Sequence, residues 1–342
     1  MKILMLSSSY PPDACGGADY LYQLVTHLEQ LGVSVEVFHR FNWKNNAKVF
    51  DFFRQIGKRD YDIAHWQYPT ANFGFSLIPH ISSVLRRNVL TLHEVSYAHP
   101  LHQLSYVPFS LTEDLIFTTP YEVAYFQKLF PWRRKNLHVI PIGSNIPAAP
   151  PAPVRSPEVL YFGLITPRKG VERVIDLAEE LKKQGSSVIR NVVIAGRVPD
   201  GYEGYYNELK HRSAGLPVTW ELDQPAEVIA QRMAGASVAY IPFPDGASER
   251  RGSLKATLLN GLPTVATVGP ATYNDLKRVI IPAADTPAAV LRQIEDLVRD
   301  KPTWQRYAEQ SVAYASPFDW TEIARQHIRV YEAHRRVSPP GK

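Results

Sequence analysis

The sequence predicts an α/β protein made of two similar halves, each built around a mostly parallel sheet that helices cover on both faces. Three observations support this fold class. Short apolar runs alternate with amphipathic segments, which is typical of strand–helix–strand units. A proline-rich stretch near the middle interrupts the alternation, and the pattern then starts again. The length of 342 residues suits two domains.

The first half begins with a buried strand and an amphipathic helix. "KILMLSSS" (Lys2–Ser9) predicts a strand that runs into a loop. A helix follows, because apolar side chains recur at helical spacing and end at Gly32: Tyr20, Leu24, Val25, Leu28 and Leu31. Further short apolar runs predict strands at Val33–Arg40, Asp62–Gln67, Asn88–Glu94, Leu115–Pro120 and Leu137–Pro141.

A linker divides the chain. Pro141–Glu158 holds six prolines in 18 residues, and proline breaks both helices and central strands, so an extended, semi-rigid connection is expected. The second half then shows strands at Val159–Gly163, Asn191–Gly196, Pro217–Leu222, Ser237–Phe243 and Pro263–Thr267, a helix at 170–185, and mostly helix from Pro287. The expected domains are 1–148 and 149–318, with a cleft between them.

Composition limits the class of protein. A single cysteine, Cys15, excludes an internal disulfide. No apolar run reaches the ~20 residues of a transmembrane helix, and Ile3–Leu6 is too short for a signal-peptide core, so a cytoplasmic location is expected. The net charge of +5 fits a mildly basic surface, and it equally fits anionic ligands or peripheral contact with an anionic inner membrane face. No signature of nucleic-acid binding is present.

Ligands in such sheets bind beyond the carboxyl ends of the strands, so each loop after a strand is a candidate site. Gly16-Gly17 follow the first strand and precede the first helix, where backbone amides favour an anion. A turn that needs glycine only for its backbone angles is the alternative. His93, with Glu94, ends a later strand and is placed to hydrogen-bond a sugar hydroxyl, unless its own loop satisfies it.

Cations precede a helix in the second half. Arg168, Lys169 and Gly170 lie between the strand at 159–163 and the helix that follows it. Two cations at a helix N-terminus oppose the macrodipole, which indicates a neighbouring anion such as a diphosphate. A solvated basic turn remains the alternative.

Another helix N-terminus lies within "PDGASERRGSLKATLLNGLPTVAT". A helix is expected from about Ser253 to Asn260, and the amides of Gly252, Ser253 and Leu254 would bind a phosphate. Glu249 is then placed to hold sugar hydroxyls. The alternative role for Glu249 is an exposed ion pair with Arg250 or Arg251.

No metal ligand set is expected. Asp60 and Asp62 form an Asp-Tyr-Asp motif of the kind that binds a metal in another enzyme class. Here the motif precedes a strand, and so lies at the edge of the sheet where ligands are usually absent.

Together these stretches resemble the family 4 glycosyltransferases of the GT-B fold over nearly the whole chain. The resemblance rests on "SSSYPPDACGGADYLYQLVTHLEQLGVSVEVF", "DIAHWQ", "TLHE", "VIPIGSN", "YFGLITPRKGVERVIDLAEEL", "VVIAGRVPDG" and "GLPTVAT". It implies transfer of a sugar from a nucleotide-sugar to a carbohydrate or lipid-linked acceptor, with retention of configuration and without metal or cofactor. The donor would lie on the C-terminal domain and the acceptor on the N-terminal one.

The resemblance also assigns roles to particular residues. Gly16 and Gly17 would approach the donor, His93 would contact the transferred sugar, and Lys169 would bind the diphosphate. The helix at 319–336 would return to the first domain.

The sequence departs from the family pattern at two places. The family usually has an arginine where this chain has Leu164, and Arg168 is the candidate substitute. It also usually has two glutamates ahead of the Gly-Leu-Pro stretch. Ser248 stands at the first of these positions, with Glu249 one residue away, and Ala256 stands at the second, which binds ribose. A nucleotide-sugar epimerase and a non-catalytic nucleotide-sugar-binding partner therefore stay open as alternatives to a transferase.

Overall fold

The computed structural model describes residues 1–13, 16–93, 95–96, 98–99 and 103–337, so Cys15 and Glu94 lie outside the described ranges. The chain forms two compact units. One comprises Met1–Ile142 together with the C-terminal helix that starts at Trp320, and the other comprises Gly143–Asp319. Each unit contains a six-stranded parallel sheet with flanking helices, so the predicted α/β class is confirmed.

The first sheet has the strand order β2-β1-β3-β4-β5-β6. Its strands are β1 (Lys2–Leu6), β2 (Ser34–Phe38), β3 (Ile63–Tyr68), β4 (Val89–Leu92), β5 (Asp114–Phe117) and β6 (Leu137–Val139). The flanking helices include α1 (Gly16–Gln30), α2 (Val49–Ile56), α3 (Ile78–Leu85) and α4 (Pro120–Leu129), and a 3-10 helix covers Pro108–Leu111.

The second sheet has the order β12-β11-β10-β7-β8-β9. Its strands are β7 (Ser156–Leu164), β8 (Asn191–Arg197), β9 (Val218–Leu222), β10 (Ala236–Ile241), β11 (Thr264–Ala266) and β12 (Ile281–Pro282). The helices are α5 (Val171–Gln184), α6 (Glu203–Arg212), α7 (Ala226–Gly235), α8 (Gly252–Leu259), α9 (Asn274–Val279), α10 (Pro287–Arg299) and α11 (Lys301–Ala315), and α12 (Trp320–Val337) then joins the first unit.

The first core lies on both faces of its sheet, because successive side chains of a strand point to opposite faces. Leu4 and Leu6 of β1 belong to the cluster that contains Phe52 of α2. Ile3 and Met5 belong to the cluster formed with α1 and α12. Burial on both faces explains why the strands appear in the sequence as continuous apolar runs rather than as alternating ones.

The linker prediction was wrong at its end, because β7 begins inside the proline-rich segment. Pro157 is the second residue of this central strand. Ser156 pairs with Ala236, whereas Val159 pairs with Val238, so β7 holds one extra residue here. A proline is tolerated at such an irregularity near the start of a strand, because its missing N–H breaks no regular ladder hydrogen bond.

Within the second unit, Asn260, the residue after α8, fixes the remainder of the linker. Its Oδ1 accepts a hydrogen bond from the Ala149 amide at 2.9 Å, and its Nδ2 donates to the Pro147 carbonyl at 3.0 Å. The same Nδ2 lies 2.9 Å from the Ala256 carbonyl, so one side chain also caps the end of α8.

The helix α12 packs on α1 and reaches the sheet through a buried hydrogen bond between His334 and Asp114. His334 Nδ1 of α12 lies 2.7 Å from Asp114 Oδ2, and His138 Nε2 lies 2.9 Å from Asp114 Oδ1. Burial alone would raise the pKa of Asp114, but these two hydrogen bonds outweigh it and lower the pKa to about 2. This carboxylate therefore joins the last helix to β5 and β6.

Candidate functional site

The loops after β7 and β10 lie at the point where the strand order of the second sheet reverses. From β7 the chain proceeds outward through β8 and β9, and it then returns to form β10 on the other side of β7. Connections from such neighbouring strands run to opposite faces of the sheet and leave a crevice at the carboxyl ends, where ligands of doubly wound proteins bind.

Two glycines bring these loops into contact. Gly170 has a φ of +73°, and a Cβ there would lie 2.0 Å from the Pro242 carbonyl oxygen, so no larger residue fits. A Cβ on Gly163 would lie 3.8 Å from Ser253 Oγ at the start of α8. The loop that carries Lys169 therefore lies directly beside the loop that leads into α8.

The structure brings Lys169 together with a cation that the sequence did not single out. Lys169 Nζ lies 5.7 Å from the centroid of the Phe243 ring, and the Arg251 guanidinium carbon lies 4.6 Å from the same centroid. Arg251 also donates both hydrogen bonds of an ion pair to Asp245. Burial, and secondly the charge of Arg251, lower the pKa of Lys169, while Asp245 opposes them. A basic centre is thus assembled at this crevice.

The donor-binding residues predicted in the same two loops of the second unit differ in exposure. Arg168 is exposed within the 3-10 helix Pro167–Lys169. Gly252 is exposed, Ser253 is half-buried and Leu254 is buried, and they form the first turn of α8. Arg251, the residue before α8, makes no side-chain cap to it. The amides of this turn cannot be satisfied within the helix, which suits an anion at this end.

Glu249 is oriented by a residue from α11 instead of by Arg251, whose carboxylate partner is Asp245. The Tyr314 hydroxyl donates to Glu249 Oε1 at 2.5 Å. Glu249 also raises the pKa of the neighbouring Lys255, although burial dominates and lowers that pKa to about 7.

The family's ribose-binding position is part of the core. Ala256 is fully buried among the apolar residues that pack under α8. Lys255, beside it, is buried too, with its ammonium nitrogen 4.9 Å from the centroid of the Phe318 ring. The Ala256 side chain therefore presents no surface to a ligand.

His93 in the first unit is the end of a buried polar chain. Its Nε2 lies 2.9 Å from Gln67 Oε1, and Gln67 Nε2 lies 3.2 Å from His65 Nε2. His65 Nδ1 continues the chain to the Tyr331 hydroxyl of α12 at 2.6 Å, and the Thr91 hydroxyl lies 2.8 Å from His65 Nε2. His65 thus has a structural role.

The chain determines which nitrogen of His93 carries the proton. Burial, and secondly the charge of His327, lower the pKa of His93 to about 4, so the ring is neutral at pH 7. The Gln67 amide oxygen can only accept a hydrogen bond, so His93 Nε2 must donate to it. Gln67 Nε2 then donates to His65, which agrees with a neutral His65. This arrangement leaves His93 Nδ1 as an acceptor nitrogen.

The start of α1 and the end of β4 lie together in the first unit. Tyr20, one helical turn after Gly16 and Gly17, packs edge-on against His93 with ring centroids 4.7 Å apart. A separate cavity of about 440 Å³ lies at the carboxyl ends of β1, β2 and β3, and its lining includes Ser8, Tyr10, Asp13, His39, Lys44 and Asn72. The first sheet therefore also carries polar residues and a cavity at its carboxyl edge.

The Asp-Tyr-Asp motif is bonded to the start of β1, at the other edge of the first sheet. Asp62 Oδ2 accepts a hydrogen bond from the Lys2 backbone amide at 2.8 Å, and Asp60 pairs with the Lys2 ammonium. Within the described residues, no cluster of three or more His, Cys, Asp and Glu side chains has a geometry that could hold a metal ion. None of the helices in these ranges is both long enough and apolar enough to cross a membrane.

No protein-family model and no curated protein matches the chain, but solved structures do. The crystal structure of HepE from Anabaena in complex with UDP has 19% sequence identity, covers 97% of this chain and 100% of that chain, and gives a TM-score of 0.69. Sucrose-phosphate synthase from Thermosynechococcus elongatus has 18% identity, covers 99% and 100% of the two chains, and gives 0.67. WaaG, a glycosyltransferase involved in lipopolysaccharide biosynthesis, has 15% identity, covers 99% and 100%, and gives 0.59.

These similarities extend over both units of the chain. The protein therefore has the GT-B fold of glycosyltransferases, as the sequence motifs predicted. At such low identities the similarity shows the fold and does not by itself assign an activity.

Proposed function

We propose that the protein is a retaining glycosyltransferase that moves a sugar from a nucleoside-diphosphate sugar to a hydroxyl of a carbohydrate or lipid-linked acceptor. The observation that carries the proposal is the basic centre of Lys169 and Arg251 beside the first turn of α8, at the reversal of strand order in the second sheet. Other GT-B structures have been solved with UDP and with UDP-glucose bound, so a uridine diphosphate sugar is the first donor to test.

In this proposal the basic centre stabilises the leaving diphosphate. Lys169 supplies a compact positive charge, and the amides of Gly252, Ser253 and Leu254 donate hydrogen bonds without any reorganisation of side chains. Arg251 supplies the planar cation that the family usually has at the position of Leu164. Arg168 is exposed enough to add a further contact to the diphosphate.

Each unit offers one candidate for contact with a sugar, a carboxylate in the second unit and an imidazole in the first. Glu249, oriented by Tyr314, accepts hydrogen bonds from hydroxyls of the donor sugar. His93 Nδ1 accepts from a further hydroxyl, because the ring proton is on Nε2, which donates to Gln67 Oε1. Gly16 and Gly17 let the backbone approach the donor closely. No protein base is required, since a donor phosphate oxygen takes the acceptor proton in the mechanism proposed for the family.

Neither a metal nor another cofactor takes part in this scheme, because the protein's own cations carry the charge of the leaving group. Turnover should therefore survive EDTA. Complete loss that Mg²⁺ or Mn²⁺ restores would contradict this part of the proposal. The cavity beside β1, β2 and β3 is proposed as the acceptor side, and the cytoplasm as the location.

The test is release of nucleoside diphosphate from a donor panel that includes UDP-glucose, with and without a panel of acceptor sugars. Acceptor-dependent release, with product of unchanged anomeric configuration, is expected. Interconversion of the donor sugars would favour an epimerase instead. Tight donor binding without turnover across the acceptor panel would favour a non-catalytic binding protein.

A further inference from the structure

The helix α3 exposes aliphatic side chains, although its buried face is only partly apolar and combines Ile78 with polar residues. Ser82 and Ser83 are buried, and Ser82 Oγ accepts a hydrogen bond from the Trp66 indole at 3.3 Å. Val84 and Leu85 of the same helix are 55% and 66% exposed. A surface helix of a globular protein normally turns its apolar stripe toward the core, so the outward aliphatic face of α3 needs another explanation.

The neighbouring segment 103–111 also exposes aliphatic side chains. Leu104, Val107 and Leu111 are exposed at helical spacing, whereas Phe109 and Ser110 between them are buried. The segment ends in the 3-10 helix Pro108–Leu111, which packs on α3. Together the two segments form one exposed apolar surface.

Two contacts fix this surface as a unit. His80 of α3 stacks on Phe109, with ring centroids 4.4 Å apart and an interplanar angle of 18°. The indole of Trp132 donates to Ser110 Oγ at 3.2 Å, so the loop before β6 joins the same surface. We call this surface the aliphatic ridge, and its seven members are between 44% and 69% exposed: Leu77, Val84, Leu85, Leu104, Val107, Leu111 and Trp132.

The charged residues within the ridge segments are all basic. The stretches 77–87, 103–111 and 130–136 hold five arginines and lysines and no aspartate or glutamate. Of these cations, Arg87 pairs with Glu113, and Arg133 donates to backbone carbonyls. Arg86, Arg134 and Lys135 are exposed at the rim. The ridge is therefore an apolar surface with a cationic border.

We propose that the aliphatic ridge docks on an anionic lipid bilayer. Aliphatic side chains and a tryptophan whose polar end is already hydrogen-bonded suit the boundary between headgroups and acyl chains, and the cationic border attracts acidic lipids. A second copy of the chain fits less well, because it would bring one cationic border against another. Docking does not depend on the proposed transfer, since it is measured without donor or acceptor.

The test is co-flotation of the full chain with vesicles of phosphatidylcholine alone and of equal parts phosphatidylcholine and phosphatidylglycerol. Binding is expected to the second vesicles, and raised salt should weaken it. The variant Leu85→Ser with Leu111→Ser should reduce the partition coefficient by ~10-fold or more. Arg134→Glu with Lys135→Glu should reduce it by a similar factor, because each cation near such a surface contributes several-fold.

Val154→Ser is the matched control, because Val154 is an exposed aliphatic residue of the second unit. It should bind like the wild type, and thermal unfolding should show that all variants remain folded. Failure of the wild type to float with anionic vesicles would overturn the proposal, as would equal losses in the ridge and control variants. A dimer that forms without vesicles and that the ridge variants dissolve would assign the ridge to a second copy instead.

Discussion

Removal of the Lys169 ammonium is the most direct test of the basic centre. Two contacts fix the position of Lys169. Its backbone is held by the close approach of Gly170 to Pro242, and its ammonium lies near the Phe243 ring. The variant Lys169→Ala therefore removes one charge without an obvious rearrangement of the backbone. If Lys169 stabilises the leaving diphosphate, transfer should fall much more than folding stability.

The size of the loss follows from the surroundings of the ammonium. Two opposite charges about 4 Å apart near a protein surface interact by about 4 kcal/mol at an effective dielectric constant of ~20. Lys169 is half-buried, so this value describes the interaction of its ammonium with a diphosphate better than the ~1 kcal/mol expected in bulk water. Removal of a single donor to a developing negative charge elsewhere costs ~10²–10³-fold. We expect kcat/KM to fall by ~10²-fold or more.

The assay is nucleoside diphosphate release in the presence of acceptor, followed over a range of pH. The pKa of Lys169 is lowered from 10.5 by burial and by Arg251, so wild-type activity should decline on the alkaline side below that value. Lys169→Arg keeps the charge and should retain activity to higher pH than the wild type. Lys182→Ala, a change at an exposed lysine of α5, the helix that follows Lys169, is the control and should have no effect. Unchanged kcat/KM in folded Lys169→Ala would refute the assignment.

Three further changes test other parts of the structure. Glu249→Gln should keep nucleoside diphosphate affinity but lose ~10–100-fold in transfer, because the free diphosphate has no sugar for it to hold; wild-type transfer would exclude it from the site. Gln67→Ala should lower kcat by ~5-fold without weakening nucleotide binding, because His93 loses the acceptor that fixes its proton; an equal loss of nucleotide binding would contradict this role. Asp114→Asn should lower the free energy of unfolding by roughly 2–3 kcal/mol at pH 7, since its pKa falls from 3.8 to about 2 on folding. The wild-type advantage should be complete above pH ~4 and vanish as the pH falls toward 2, which urea unfolding at several pH values would show.

The fold could be predicted because parallel strands buried on both faces leave an unmistakable pattern. Every predicted strand is present, with bounds that differ by a few residues. The exception at Pro157 has a local cause, since a register irregularity removes the usual penalty of proline in a central strand. The outward face of α3 could not be predicted, because periodicity shows which residues share a face but not which way that face points.

The candidate site was only partly accessible from the sequence. Loops after strands could be recognised one at a time, and this was enough to select Lys169 and the first turn of α8. The partners of these groups come from distant segments, as with Glu249 and Tyr314, which are 65 residues apart. The chain from His93 to Tyr331 likewise joins β3, β4 and α12. Such contacts between distant segments become visible only in the three-dimensional structure.

The replacement of the usual arginine by Leu164 illustrates why strand order matters for the chemistry. Leu164 is the last residue of β7 and is exposed, so the position where the family usually has an arginine carries no charge here. In the sheet, β7 has two neighbours, β8 and β10. The loop after β10 supplies Arg251, whose guanidinium carbon lies 4.6 Å from the centroid of the Phe243 ring, which Lys169 also approaches. A diphosphate responds to the position of positive charge and not to the segment that carries it. Under the proposed function, Arg251 can thus supply from the loop after β10 the cation that the resemblance expects at Leu164, whereas Ala256 cannot hold a ribose, because its side chain is apolar and enclosed in the core.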